Sequence, residues 1–313
     1  MRYLSGKDVK RMLTMKDCIR VMHDLFLLPP EEILNPLRNH MMLPDKQGLL
    51  GMMPSYIHPY GVMGIKVLSI FPKNYLKGLS SHLGIIHLFD AQDGQLLLSL
   101  DADEVTAIRT AAVSGVMTNL LAMDDSSVLA LLGSGKQAHT HLDAMCEVRK
   151  ISQVRVWSQD TDHADRFIRE ASLRHTLEYS RFHSSAEAVL GADIICTATA
   201  SSDPILFDER ISTHAHINAI GSSSAQKREL DTAIMRRAEV FVDDHLAASH
   251  EAGDILLALP SGGKYEDLVK GNIHQVLSSP SPDLKKKFTV FKSVGIAIED
   301  LAVAWHLYNM FSE

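Results

Sequence analysis

Residues 128–144, VLALLGSGKQAHTHLDA, join an apolar run to a helix-like stretch through a Gly-x-Gly-x-x-Ala turn. In a strand–turn–helix unit, the first glycine allows the tight turn, the second lets the backbone approach a pyrophosphate, and a small third residue lets the helix pack closely. These positions are Gly133, Gly135 and Ala138, with Ser134, Lys136 and Gln137 between them. The pyrophosphate would bind the N–H groups at the helix N-terminus, where the dipole favours an anion. The turn predicts dinucleotide binding, and the alternative is a glycine turn needed only for chain shape.

The residues after the next strand, VRVW, bear on the choice of cofactor, and they are Ser158, Gln159 and Asp160. An acid at this strand end binds the ribose 2′-OH of NAD and repels the 2′-phosphate of NADP. Ser158 at the tip can donate to a phosphate, Asp160 could still turn toward a ribose, and Arg166 lies about one helical turn further on. The pattern is split between NAD(H) and NADP(H), with a slight preference for NADP(H).

The elements around this turn alternate between strand and helix. From Ser127 onward the strand patterns are VLALLG, VRVWS, DIICTATA, HINAIG and AEVFVDD, and the helix patterns between the first of them are KQAHTHLDAMCEV and DHADRFIREASLRH. Alternating strands and helices predict an α/β fold with a doubly wound parallel sheet.

The rest of the chain follows a different pattern. Residues 7–28 predict one helix that ends at PPEE, residues 38–99 predict an antiparallel meander of short strands, and residues 101–122 predict a long helix. The segment from 288 to 311 predicts a turn and an amphipathic helix of about 15 residues that returns to the first domain. We therefore expect a substrate-binding and dimerisation domain of residues 1–118 with 291–313, and a dinucleotide-binding domain of residues 119–290.

Composition excludes several classes of function. The 313 residues carry a formal net charge of −7, which favours neither nucleic acid nor an anionic membrane surface. No apolar run reaches the roughly 18–20 residues that span a bilayer, and the N-terminus has no signal-peptide pattern. The cysteines Cys18, Cys146 and Cys196 are far apart, which suits a reducing cytoplasm. His139 and His141 are two apart on a predicted helix and do not share a face, so we expect no metal site.

Six segments together are similar to the ornithine cyclodeaminase/μ-crystallin family. They are GVMGIKVLSIFPKN (61–74), VTAIRTAAVSG (105–115), LLGSGKQA (131–138), ADIICTATAS (192–201), HINAIGSSSAQKRELD (216–231) and FKSVGIAIED (291–300). No single segment is decisive, but six in this order are specific. The resemblance implies a Rossmann-type domain plus a smaller α+β substrate domain whose sheet pairs with a second subunit. It also implies NAD(P)-dependent chemistry on amino acids, imines or keto acids.

The resemblance places Lys66 and Arg109 at the substrate as catalytic residues, and Arg38 and Ser223 as further substrate-binding residues. A guanidinium binds an α-carboxylate through two hydrogen bonds, and a lysine beside a C=N carbon can move protons. The alternatives are a solvated helix charge for Arg109 and an edge-strand lysine for Lys66. The resemblance adds further cofactor-binding residues: Thr110, Thr197, Ala198, Thr199, Ile220, Ser293 and Val294.

Two departures from the family pattern bear on the reaction. Ornithine cyclodeaminases of this family carry an aspartate where this chain has Ser223, and a glutamate where it has Gly51. Cyclodeamination must deprotonate an ammonium and expel ammonia, which is poorly supported without those carboxylates. Ser223 followed by RELD resembles instead the μ-crystallin branch, whose members reduce cyclic ketimines.

The resulting hypothesis is an NAD(P)H-dependent reductase of a small cyclic imino acid, either 1-pyrroline-2-carboxylate or 1-piperideine-2-carboxylate. The alternatives are an alanine-type amino-acid dehydrogenase, an ornithine cyclodeaminase, or a catalytically silent NADP(H)-binding protein. The methionine-rich runs HMML, GMMP and GVMG favour an apolar surface covered by a second copy, although they could equally fill the domain's own core. A homodimer is expected, mostly because the family resemblance implies one.

Overall fold

The computed structural model describes residues 2–45 and 47–311, without the side chains of Tyr75 and His82. Met1–Arg109 together with Ile296–Glu313 form one unit, and Thr110–Gly295 form the second. The sequence placed the divisions at 118/119 and 290/291, whereas the units divide within the long helix after Arg109 and in the loop before Ile296.

The first unit contains one mixed sheet and its flanking helices. In chain order its elements are β1 (Arg2–Leu4), α1 (Gly6–Met12), α2 (Met15–Leu27), β2 (Ile33–Leu34), β3 (Asn39–Met42), β4 (Leu49–Ile57), β5 (Val62–Ile70), β6 (His82–Asp90) and β7 (Leu96–Asp101). Helix α3 (Ala102–Leu121) begins in this unit and ends in the second.

The second unit contains the remaining strands. Its elements are β8 (Val128–Leu132), α4 (Lys136–Val148), β9 (Gln153–Trp157), α5 (Thr161–Ser172), β10 (Glu178–Arg181), α6 (Ser185–Ala188), β11 (Ile194–Thr197), β12 (His216–Ala219), α7 (Thr232–Arg237), β13 (Glu239–Val242), α8 (His245–Glu251), α9 (Gly253–Leu256), α10 (Tyr265–Leu268), β14 (Val269–Asn272), α11 (Ile273–Ser278) and β15 (Thr289–Lys292). The last helix, α12 (Ala297–Asn309), belongs to the first unit.

The N-terminal segment differs from the single helix expected for residues 7–28. Ser5 and Asp8 form a capping box at the start of α1, the chain becomes extended at Leu13, and the Thr14 side chain caps α2. A threonine that accepts a backbone N–H bond starts a new helix, which is why the apolar periodicity spans a break.

Strands β4, β5, β6 and β7 form the antiparallel meander that the sequence predicts, and β1 adds a parallel strand beside β7. Helix α12 packs on β4, β5, β6 and β7 and on α2. A Cβ atom at Gly64 would lie 2.6 Å from Leu301 Cδ1, so glycine in β5 permits this close approach of α12. Helix α12 is buried on nearly every side through Ala304, so it is not the amphipathic helix that the sequence suggested.

The eight strands of the second unit pair in the order β10-β9-β8-β11-β12-β15-β13-β14, and all these pairings are parallel. This order reverses direction between β8 and β11, as in doubly wound dinucleotide-binding sheets. The finding confirms the predicted Rossmann-type sheet. Three strands of this sheet were not predicted from the sequence. Strands β10 and β14 were not identified, and β15 was predicted to be a turn.

No helix within residues 2–45 and 47–311 is long and apolar enough to cross a membrane.

Candidate active site

Lys66 lies on a central strand of the first unit, not at the sheet edge. Side chains alternate along a strand, so Lys66 shares the face of β5 on which Gly64 contacts α12. Its ammonium donates to both carboxylate oxygens of Asp300 on α12, at 3.0 Å each, and to Thr106 Oγ1 on α3 at 2.6 Å. The sheet, helix α3 and helix α12 thus meet at one buried nitrogen atom, Nζ of Lys66.

Arg109, on α3, joins the same cluster. Its Nε donates to Asp300 Oδ1 at 3.1 Å and its Nη1 donates to Glu299 Oε2 at 2.5 Å. All four charged residues are nearly inaccessible to water. Lys66, Arg109, Glu299 and Asp300 are called the buried charge cluster below. The anionic partners of Arg109 are therefore two carboxylates of this chain, and they fix the orientation of the guanidinium.

The cluster sets the proton affinity of Lys66. Burial lowers the pKa of Lys66 to about 8, and the Asp300 carboxylate limits that fall. The positive charges of Arg109 and, more weakly, Arg38 also lower it, which places half-buried Arg38 within electrostatic reach of the ammonium. An amine with a pKa close to working pH can both donate and accept a proton.

The glycine turn lies in the second unit. Gly133 has φ +125°, and a Cβ atom there would lie 2.4 Å from the Ala198 carbonyl oxygen, so this position requires glycine. Gly135 stands immediately before α4, where no side chain caps the helix N-terminus, and a Cβ at Gly135 would meet no atom within 4 Å. The open space in front of the helix is the feature that a bound pyrophosphate needs.

A dinucleotide fits the residues at this turn. Among the described residues, the buried side-chain oxygen Oε1 of Gln137 has no hydrogen-bond partner. Ala138 is fully buried, as the third small position of the motif requires. Lys136 is exposed at the first position of α4. The turn therefore offers open backbone, a cation and an unsatisfied polar atom together.

The residues after β9 include Asp160, which the sequence analysis considered as a possible ligand of the ribose. Its side chain accepts from the backbone N–H groups of Asp162 and His163 and caps α5. Ser158 instead lies beside the glycine turn, because its Oγ accepts a 3.1 Å hydrogen bond from Ser134 Oγ, while Gln159 is exposed. The strand end that faces the turn therefore carries a hydroxyl and no carboxylate.

This geometry predicts that Ser158→Asp lowers the affinity for NADPH relative to NADH by about tenfold or more, since a carboxylate there repels the 2′-phosphate. Dissociation constants of both nucleotides, measured by fluorescence titration, provide the test. Asp160→Ala is the control, and it should cost about 1 kcal/mol of stability by removing the cap without changing the ratio of the two constants. A changed ratio in the control would place Asp160 at the ribose.

The remaining cofactor candidates lie mostly at the carboxyl ends of neighbouring strands. Thr197 ends β11, Ala198 and Thr199 follow it, Ile220 follows β12, and Ser293 and Val294 follow β15. Asp243 Oδ2 accepts from Ser293 Oγ and from the backbone N–H of Val294, which holds the last of these loops.

Thr110 is buried on α3, and Ser223 is exposed in the loop after β12. The structure thus brings together Lys66, Arg109 and Arg38 in the first unit and the dinucleotide candidates in the second.

Several charged residues of these sites were missed by the sequence analysis. In the first unit they are Glu299 and Asp300, and in the second they are Glu229, Asp243, Asp254 and Lys292, all of which are buried. The available signal was a pair of acids inside the apolar run VGIAIEDLAVAW, because buried carboxylates need cationic or hydrogen-bond partners.

His141 is separate from the buried charge cluster. Buried His141 contacts Ser114 Oγ and the Gln137 carbonyl, and burial lowers its pKa to about 4. Within the described part of the chain, no group of three or more His, Cys, Asp or Glu residues could hold a metal ion.

Comparison with known proteins identifies relatives over almost the whole length. Residues 2–313 match the model of the ornithine cyclodeaminase/mu-crystallin family. The ketimine reductase mu-crystallin of Mus musculus is 36% identical over 284 residues, which cover 91% of this chain and 87% of the relative.

Two solved structures are similar in fold and sequence. The Delta(1)-pyrroline-2-carboxylate reductase of Thermococcus litoralis, in complex with NADH and L-proline, superposes with a TM-score of 0.94 at 33% identity, covering 99% of this chain and 97% of that one. An archaeal alanine dehydrogenase dimer with bound NAD superposes with a TM-score of 0.90 at 29% identity, covering 99% and 95%. By its sequence, its parallel sheet and its glycine turn, this chain belongs to the ornithine cyclodeaminase/mu-crystallin family.

Proposed function

We propose that this chain is an NAD(P)H-dependent oxidoreductase that reduces the C=N bond of cyclic ketimine carboxylates. The products would be L-proline from 1-pyrroline-2-carboxylate or L-pipecolate from 1-piperideine-2-carboxylate. The observation that carries the proposal is the buried charge cluster, in which an ammonium with a pKa of about 8 lies beside an oriented guanidinium. A ketimine reductase and a pyrroline-2-carboxylate reductase among the relatives support the same reaction class.

Each residue has a defined role in this proposal. Arg109, held by Glu299 and Asp300, binds the substrate carboxylate together with Arg38. The Lys66 ammonium donates a proton to the ring nitrogen, and Thr106 and Asp300 hold that ammonium in place. A reduced nicotinamide, when bound, would supply the hydride for the imine carbon, so that one hydride and the proton from Lys66 would convert the imine to the amine. Ser223 lines the nicotinamide side of the site.

The same residues argue against cyclodeamination of ornithine. Gly51, in β4, supplies no carboxylate, and the three atoms nearest to the position of a Cβ there belong to His40 and Leu49. Ser223 supplies a hydroxyl where the reaction needs an acid–base carboxylate. A substrate that is already an imine needs only orientation, a hydride and a proton, which the buried charge cluster and the cofactor can supply.

The assay that tests this proposal measures oxidation of reduced nucleotide by its near-ultraviolet absorbance. Purified protein is offered each cyclic imine with NADPH and with NADH, and separately pyruvate with ammonia, and L-ornithine with NAD. Rapid oxidation with a cyclic imine is expected. Oxidation with pyruvate and ammonia alone would identify an alanine-type dehydrogenase, and ammonia release from L-ornithine would overturn the argument from Gly51 and Ser223. Nucleotide binding without turnover of any substrate would indicate a binding protein.

In this proposal the two units bind different ligands. The first binds substrate and a second copy of the chain, and the second binds the dinucleotide. The cytoplasmic location expected from the cysteines stays a prediction, and all three cysteines are free thiols.

A second copy is proposed to cover the open face of the first sheet, which lies opposite α12. Alternation places Met63, Ile65 and Val67 of β5 on this face, beside Met52 and Tyr56 of β4 and Ile85 and Phe89 of β6. These residues are exposed or half-buried, whereas the other face of β5, at Val62, Gly64 and Lys66, is buried. Pro54 and His87, the two residues paired with Ile65, lie on the same face, which is therefore mainly apolar with one histidine. A mainly apolar face of this kind is typical of an oligomer interface.

We therefore expect Ile65→Glu to weaken self-association by about 100-fold or more, because the interface would bury an unpaired carboxylate. Sedimentation velocity across a concentration series measures the monomer–dimer equilibrium. Leu173→Glu is the control, since Leu173 is 88% exposed in the second unit. Unchanged association of the Ile65→Glu variant would exclude this face as the interface.

A further inference from the structure

A second buried network lies at the carboxyl edge of the parallel sheet and has no part in the chemistry described above. Glu229 is fully buried, and its carboxylate accepts four hydrogen bonds. Oε1 accepts from the backbone N–H and the hydroxyl of Thr199, both at 2.7 Å. Oε2 accepts from Thr197 Oγ1 at 2.7 Å and from the backbone N–H of Gly221 at 2.8 Å. One side chain thereby joins the loop after β11 to the loop after β12.

Glu229 is itself held by a residue of helix α9, which in turn pairs with strand β15. Asp254 Oδ1 accepts from the backbone N–H groups of Glu229 and Leu230, at 2.7 and 2.9 Å. Asp254 Oδ2 pairs with Lys292 Nζ at 2.9 Å, and both side chains are inaccessible to water. Lys292 ends β15, and its ammonium also donates to the Ser222 carbonyl in the loop after β12. The ends of β11, β12 and β15 are thus linked through one network.

The network requires a carboxylate at residue 229. A carboxylate only accepts hydrogen bonds, and four donors on two oxygens use that capacity fully. An amide would point its NH2 group at the backbone N–H of either Thr199 or Gly221 and leave that donor without an acceptor, at a cost that is large in a buried site. The threonine hydroxyl on the same oxygen would have to turn and accept a hydrogen bond in place of donating one. The contact is also close, because a Cβ at Gly221 would lie 2.3 Å from Glu229 Oε1. Both loops are therefore shaped around this one side chain.

The position of the network in the sheet indicates its function. In a doubly wound sheet the two halves of a dinucleotide bind at the carboxyl ends of the strands, on either side of the point where strand order reverses. That point lies between β8 and β11, and β9, which ends just before Ser158, lies on the adenosine side. The loops that Glu229 holds lie on the other side, where the nicotinamide half binds.

We propose that Glu229 is a positioning residue that shapes the loops after β11 and β12 to receive the nicotinamide half of the cofactor. This inference rests on the proposed dinucleotide-dependent function. According to this inference, Glu229, Asp254 and Lys292 affect the binding of the nicotinamide half of the cofactor and not of the adenosine half. A general contribution to protein stability would not distinguish between the two halves.

The test compares two ligands by isothermal titration calorimetry: NADH, and ADP, which lacks the nicotinamide riboside. Glu229→Gln is expected to raise the dissociation constant of NADH by about tenfold or more, while that of ADP changes by less than about twofold. In steady-state assays KM for NADH should rise in the same variant. Glu229→Asp, which keeps the charge on a shorter side chain, provides a second variant if the first does not fold, with the same selective loss expected.

The matched control is Asp193→Asn at the opposite edge of the same sheet. Asp193 Oδ2 accepts from the backbone N–H groups of Ser127 and Val128, at 2.8 and 2.9 Å. This variant should lower the urea midpoint without changing the NADH to ADP ratio of dissociation constants. Equal loss of both ligands in the Glu229 variants, or no loss, would overturn the inference. Failure of the unaltered protein to bind NADH, NADPH and ADP would instead overturn the proposed dinucleotide dependence.

Discussion

Replacing Lys66 with methionine is expected to lower kcat for cyclic imine reduction by about 10²- to 10⁴-fold, the range that a positioned proton donor contributes. Methionine keeps an unbranched side chain in the buried space but has no proton to give. The dissociation constant for NADH should stay unchanged, because Lys66 lies in the first unit and the dinucleotide candidates at the glycine turn lie in the second. Stopped-flow reduction and equilibrium nucleotide titration separate the two effects.

The control for this variant is Lys10→Met, which removes an exposed lysine from α1 and should leave kcat unaltered. Survival of turnover in the Lys66→Met variant would remove Lys66 from the reaction. Parallel loss of turnover and of nucleotide affinity would show a structural role for the lysine in place of a chemical one.

Replacing Asp300 with asparagine is expected to shift the pH dependence of the reaction and to destabilise the first unit. The pKa of Lys66 is about 8, so reduction should decline as pH rises through that value and the ammonium is lost. Oxidation of L-proline should increase over the same range, because the neutral amine is then the proton acceptor. The Asp300 carboxylate raises this pKa, so Asp300→Asn should move both transitions to lower pH.

The cost in stability follows from the same ion pairs. Asp300 accepts from both Lys66 and Arg109, and its neutralisation leaves two buried cations with one fewer anion. Loss of one partner from a buried pair costs about 3–5 kcal/mol, which urea denaturation measures. Glu299→Gln is the comparison, because it removes the carboxylate paired with Arg109 and leaves Asp300 on Lys66. We expect Glu299→Gln to lose a similar amount of stability but to show little shift in the pH dependence of the reaction. Identical pH profiles for the two variants would refute the idea that Asp300 sets the pKa of Lys66.

Local sequence patterns were sufficient wherever an element is formed and ended by its own residues. The glycine turn is such a case, because strand β8, Gly133 and helix α4 follow one another within 21 residues of chain. The predicted helix KQAHTHLDAMCEV coincides with α4, which spans Lys136–Val148. The alternation of strands and helices after Ser127 likewise predicted the parallel sheet, since parallel neighbours require crossover connections.

Elements that depend on distant partners were not recognisable in the same way. Strand β1 has three residues, and it forms because it pairs with Leu98, Ser99 and Leu100 of β7. Strands β10 and β14 read EYSR and VKGN and contain no apolar run, unlike β11, β12 and β13, which are equally short. The first helical segment was read as continuous because its apolar spacing persists across Leu13 and Thr14, where capping interrupts it.

By itself the sequence determined the fold class, the glycine turn, and the types of residue that could bind a carboxylate and move a proton. Only the tertiary structure showed that Asp300, 234 positions from Lys66, holds its ammonium and that Asp160 caps a helix. Only the tertiary structure showed that Glu229 links two loops of the parallel sheet. The physical reason is that hydrophobic periodicity and turn chemistry are local properties of a chain. The proton affinity of a buried side chain depends instead on charges and hydrogen bonds that folding brings to it.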